Sequence, residues 1–193
     1  LEGVSTGEPN HWFLLAALLF GFPLALSVFA IELGSQLLAG RNQNGELELL
    51  LSYPLSRLRL FLEKFAVMVV AVVALAFVTW LFMALGLSAA GVRPPTPGMI
   101  AGLSLVALVF GSLAFAIAGR SAHLGRARLI PLALLLAAVL LAVLRSRLPV
   151  PLAWVSLISP LYDYLSGYLP YGSYKFGYTL LLAGFSLAMG AFA

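Results

Sequence analysis

Between Lys64 and Arg93 the chain carries no charged residue. That interval is longer than the ~20 helical residues needed to cross a hydrocarbon core roughly 30 Å thick. Within lipid every backbone N–H and C=O must find a partner away from water, and a helix supplies it inside the segment. Strict alternation of polar and apolar residues is absent, and Ala, Leu and Val dominate, which selects the helix. Other apolar runs occupy 12–34, 99–119, 129–144 and 174–193, and the charge-free interval supplies most of an expected span over 58–87. The expected fold is therefore all-α: one transmembrane domain over 1–193 with five spans, preceded by a polar outer loop at 1–11.

Composition agrees. Hydrophobic residues make up 62% of the chain and charged residues 9%, with a mean hydropathy of +1.05. Soluble domains carry about 25% charged residues. With no cysteine in the sequence, disulfides, thiolate metal sites and cysteine nucleophiles are excluded.

Charge gathers in one connection. Residues 39–64 hold Arg41, Glu46, Glu48, Arg57, Arg59, Glu63 and Lys64, seven of the eighteen charged residues. Asn44 is a suitable N-cap. Glu46 and Glu48 fall in the following turn, where the helix dipole favours negative charge. Leu47, Leu50 and Leu51 share one face, widened by Leu49. Pro54 disfavours helix at Tyr53, and Ser56 is placed to cap the helix that begins at Arg57. The pattern predicts a short amphipathic helix over 44–53 lying at the membrane surface, with a surface loop containing one helical turn as the plainer alternative.

These residues carry a resemblance. Gly45-Glu46-Leu47-Glu48-Leu49-Leu50-Leu51-Ser52-Tyr53-Pro54-Leu55-Ser56-Arg57, followed by Lys64, resembles the signature of type-2 ABC transporter permeases, and Gly45, Leu47, Glu48, Leu50, Leu51, Pro54, Ser56, Arg57 and Lys64 match it in order. The resemblance implies that 44–53, Glu46 included, is a coupling helix that docks an ATP-binding subunit. It implies that ATP and magnesium reside on that partner, and that a second permease copy completes a homo- or heterodimer in the cytoplasmic membrane. It also implies six spans, so that a first span is missing from this stretch or lies on another chain. An exporter is expected. One alternative is a permease-like subunit that passes ATP-driven motion to outer partners. Another, of a different class, is a membrane scaffold or enzyme subunit unconnected with ATP.

Other features qualify the picture. Trp12 suits an interfacial position. Gly21 and Pro23 suggest a kink or a close helix contact. Glu32 is the one acid inside an apolar run and is expected to pair with Arg41 or Lys64, or to reach the interface. Gly102, Ser104, Gly111 and Ser112 offer small surfaces for close packing. Residues 88–98 break the helix with three prolines, and 120–128 reads as a short basic loop. Residues 148–172, with four prolines and four tyrosines, are expected to lie at the outer interface, with Ser159, Pro160, Tyr162 and Asp163 as a possible outer gate. The Ser159–Tyr162 element is similar to one in the same permease family.

Basic residues set the orientation. Arg41, Arg57, Arg59, Lys64, Arg120, Arg126 and Arg128 fall on one side, and Arg93, Arg145, Arg147 and Lys175 on the other. The positive-inside bias places the first set in the cytoplasm, with residue 1 outside and residue 193 inside. Catalysis has no support. A Gly-rich phosphate loop is lacking, so no ATP is expected on this chain. His11 and His123 fall on opposite sides, so no metal site is expected, and the pattern gives no nucleic-acid surface.

Overall fold

The structure, a computed structural model, describes residues 21–40, 57–89, 95–120 and 123–144, together with Gly184. Helix α1 spans Phe22–Ser35 and continues into a π-helical turn at Gln36–Gly40. Helix α2 spans Arg57–Ala89, α3 Gly98–Arg120 and α4 Leu124–Leu144. Strands do not occur among the described residues.

Three helices are long and apolar enough to cross a membrane: Phe61–Ala89, Gly98–Arg120 and Leu124–Leu144. At 1.5 Å per residue the 23 residues of α3 extend about 35 Å. The apolar helix Phe22–Leu38 is shorter within the described residues. The expected spans over 58–87 and 99–119 agree with α2 and α3 to within two residues at each end. The expected fifth span, the 44–53 helix, the 148–172 segment and the loop at 1–11 lie outside the described residues.

Two boundaries differ from expectation. Helix α1 does not stop at 34 but runs on through its π-helical turn to Gly40. Helix α4 begins at Leu124, so most of the expected 120–128 loop is helical. The reason is local. The His123 carbonyl accepts from the backbone N–H groups of Arg126 and Ala127, at 3.2 and 3.4 Å, and closes the first turn. Arg126 stays exposed there. Pro131 sits inside α4 and is buried; its ring removes a backbone donor, which spanning helices tolerate when neighbouring helices pack over the gap.

The break between α2 and α3 is confirmed at Pro95 to Pro97. The carbonyls of Thr96 and Pro97 accept from the N–H groups of Met99 and Ile100, each at 3.0 Å, and start α3. Trp80 Nε1 donates to the Pro95 carbonyl at 3.1 Å and ties α2 to this turn. Pro23 occupies the first turn of α1, where a missing N–H is least costly.

Helices α1 and α3 form the centre. Ala30, Ile31, Leu103, Val106, Ala107, Ala114 and Phe115 are all but inaccessible. The crossing is close because it is built from small residues. A Cβ added at Gly34 would lie 2.5 Å from the Gly111 carbonyl oxygen, and one added at Gly111 would lie 2.9 Å from the Ala30 Cβ. Gly102, Ser104, Gly111 and Ser112 are all buried, as expected. The hydroxyls of Ser27 and Ser104 donate along their own helices, to Pro23 at 2.7 Å and to Ile100 at 2.8 Å. Small size, more than hydroxyl bonding across helices, lets these backbones approach.

Helix α2 packs on this pair through Met68, Val72 and Ala76, all fully buried. Near its start Phe61 and Phe65 meet the Phe115 ring edge to face, with centroids 4.7 and 5.7 Å away. Helix α4 inserts Leu135 and Ala138 into the same core.

Candidate functional site at the charged end of the bundle

The contacts place four helix ends together. Phe61 near the start of α2 meets Phe115 near the end of α3. Leu38 of the π-helical turn, Ile117 of α3 and Leu124 of α4 all pack against the buried cluster of Ala118 of α3 and Ala127 of α4. The end of α1, the start of α2, the end of α3 and the start of α4 thus form one end of the bundle. Every charged residue among the described ones belongs to this end: Glu32, Arg57, Arg59, Glu63, Lys64, Arg120, Arg126 and Arg128. At the opposite end, around Phe22, Ala89, Gly98 and Leu144, the described residues carry no charge.

Glu32 is the organising group. Its Oε1 accepts from the Arg128 guanidinium at 2.5 Å and from Gln36 Nε2 at 2.6 Å. The first contact ties α1 to α4 and the second spans one turn along α1. The expected pairing of Glu32 with Lys64 is therefore corrected: the partner is Arg128, and Arg41 lies outside the described residues. The reason is the direction of the side chains. Glu32 falls on the side of α1 that faces α4, whereas Lys64 stands on α2. The neighbouring Ser35 hydroxyl donates to the Glu32 carbonyl at 2.8 Å. Arg128 is two-thirds covered, and its Nε is buried with no acceptor of its own. The other ion pair of the described residues, Arg59 Nε to Glu63 Oε1 at 3.1 Å, is exposed and internal to α2. It joins no two helices.

Of the sequence-derived docking residues, Arg57 is the first residue of α2 and stands at this charged end. Gly45, Glu46, Leu47, Glu48, Leu50, Leu51, Pro54 and Ser56 lie outside the described residues, as do Ser159, Pro160, Tyr162 and Asp163. The connection 41–56 leaves from Gly40 and returns at Arg57, so both of its anchor points belong to the charged end. Among the described residues no three His, Asp or Glu side chains come together as metal ligands. Sequence reasoning missed Arg128 as the partner of Glu32. The available signal was weak: a basic residue one turn into an apolar run has to find an acceptor or reach water.

Comparison with known families decides the class. The profile described as ABC-2 family transporter protein matches residues 3–162. The chain belongs to the ABC-2 transporter family. The match takes in all four described helices of this ABC-2 membrane domain and the charged connection between α1 and α2. No curated protein and no solved structure matches the chain.

Proposed function

We propose that this ABC-2 chain is the transmembrane permease subunit of an ATP-binding-cassette exporter, and that the 44–53 segment docks a separate ATP-binding subunit. Family membership supports the permease reading. The observation that carries the docking reading is the convergence of charge on the bundle end where 41–56 is anchored. Among the described residues the rest of the bundle carries no charge, and a concentrated polar end is where an aqueous partner can bind without desolvating buried charge. In the proposed arrangement Glu46 and Glu48 face basic groups of the ATPase. Leu47, Leu50 and Leu51 seat against the membrane side, and Pro54 and Ser56 set the angle at which α2 begins. ATP and magnesium are held by the partner, two permease chains assemble, and the charged end faces the cytoplasm of the cell membrane. Residues 148–172 lie at the outer face, with Ser159, Pro160, Tyr162 and Asp163 as the gate. The family's association with an ATP-binding subunit favours this reading over a scaffold unconnected with ATP.

The experiment is co-purification of the full-length permease from its native membranes with whatever ATP-binding subunit it retains. Glu48→Lys and Arg57→Glu are expected to reduce ATPase retention about tenfold or more, on the scale of one lost charge-assisted contact at an interface, while membrane insertion is unchanged. Full retention in both variants would refute docking at this segment.

A further inference from the structure

Movement that enters through the 41–56 connection reaches the bundle first at the end of α1 and the start of α2. At the end of α1 the structure holds three fastenings within two turns. Gly34 lies against the Gly111 backbone of α3, so closely that a Cβ would not fit. Leu38 packs against the buried pair Ala118 of α3 and Ala127 of α4. Glu32 holds both Gln36 and Arg128 on a single oxygen. The first two are packing contacts, of a glycine against backbone and of an aliphatic side chain against alanines. The third is directional: a guanidinium and a carboxylate keep their geometry or lose the contact. Gln36, bound to the same oxygen, is the first residue of the π-helical turn. Such turns carry one residue too many for the α-helical ladder and mark places where a helix can change register.

We infer that Glu32 and Arg128 are a positioning pair that makes the end of α1 and the start of α4 move as one body, so that displacement of the 41–56 connection reaches α4 together with α1. The inference rests on the docking reading under Proposed function and deepens it by naming the route by which motion enters the bundle. An exposed ion pair of ordinary kind contributes about 0–1 kcal/mol and restricts little. Arg59 and Glu63 are such a pair, exposed and within one helix. Glu32 and Arg128 differ in three respects: they join different helices, they share the acceptor with Gln36, and the Arg128 Nε is buried. Among the described side chains no ion pair joins α2 to another helix: its ion pair, Arg59 with Glu63, is internal, and at this end it meets α3 through the Phe61, Phe65 and Phe115 rings.

The sequence contains no cysteine, so introduced cysteines are the only labelling sites. Phe29→Cys on α1 and Leu129→Cys on α4, at positions 40% and 68% exposed, would carry spin labels in the full-length permease purified with its ATPase in lipid nanodiscs. Their separation is measured nucleotide-free and with vanadate-trapped nucleotide. The inference expects one separation in both states. In Glu32→Gln and in Arg128→Gln the two states should give different separations while the ATPase stays bound. The swap of Glu32→Arg with Arg128→Glu should return the single value. A merely structural pair would lower the melting temperature of the single variants without creating a nucleotide-dependent separation, and that result overturns the inference while leaving docking intact. A separation that already changes with nucleotide in the parent overturns it as well. If no ATPase co-purifies, the docking reading fails and the inference with it. If the single variants do not fold, the swap decides: recovery of folding with the constant separation supports the pair, and failure of the swap refutes it.

Discussion

Helices α2 and α3 are almost equally apolar, yet 67% of the most apolar window of α3 is buried inside the bundle against 17% of that of α2. Burial is therefore not set by hydrophobicity. In lipid an apolar side chain gains little by leaving the acyl chains for another helix, and close approach of backbones decides which faces pair. Helix α3 buries Gly102, Ser104, Ala107, Gly111, Ser112 and Ala114, and Gly34 and Ala30 of α1 meet it at Gly111. Helix α2 presents Val67, Val70, Phe77, Phe82 and Leu85 outward, large side chains that keep backbones apart and suit contact with lipid tails. The difference teaches that small residues mark the α1–α3 crossing, where backbones meet, and that apolar bulk alone does not bury a helix face.

The contrast can be broken most severely at Phe115. It is 1% exposed and receives two edge-to-face rings from α2. Phe115→Ala is expected to cost about 3–5 kcal/mol through the cavity it leaves, with some reduction because lipid replaces water as the reference. Titration of the purified protein with a denaturing detergent checks this; a loss under about 1 kcal/mol would remove Phe115 from the centre of the packing. Gly34→Ala comes next. The added Cβ meets a backbone oxygen at 2.5 Å, so the helices must separate, at about 1–3 kcal/mol. The same titration reads it, and an unchanged midpoint would mean that the crossing is looser than described. Trp80→Phe removes one donor to the Pro95 carbonyl and is expected to cost about 0.5–1.5 kcal/mol, with faster proteolysis at Pro95 to Pro97 as a second sign. Phe82→Leu, on the outer face of α2 and 72% exposed, should stay within about 0.5 kcal/mol. A large loss there would show that the face is an interface.

The sequence made the spans legible because length without charge has few other uses in a chain of this composition. The small-residue surface of α3 was legible for the same kind of reason, since Gly and Ser in a spanning helix are informative about packing. The start of α4 was harder. Arg126 and Arg128 look like loop residues in a linear reading, but long basic side chains can stay in a helix near the membrane surface and extend their charge toward water or a partner. The partner of Glu32 was not legible at all, because Arg128 lies 96 positions further along the chain and only the packing of α4 against α1 brings it near. The docking segment came from its resemblance to a permease signature, and the anchor points at Gly40 and Arg57 are the structural observation that stands beside it.

The account turns on which side of the membrane the charged end faces. Single cysteines at Arg126→Cys, in the first turn of α4, and at Thr96→Cys, in the turn between α2 and α3, sit at opposite ends of the bundle. Intact cells treated with a membrane-impermeant thiol reagent should label the cysteine at 96 and spare the one at 126, which should react only after the cytoplasmic side is opened. Labelling of 126 from outside and protection of 96 would place the charged end away from ATP and contradict the docking role.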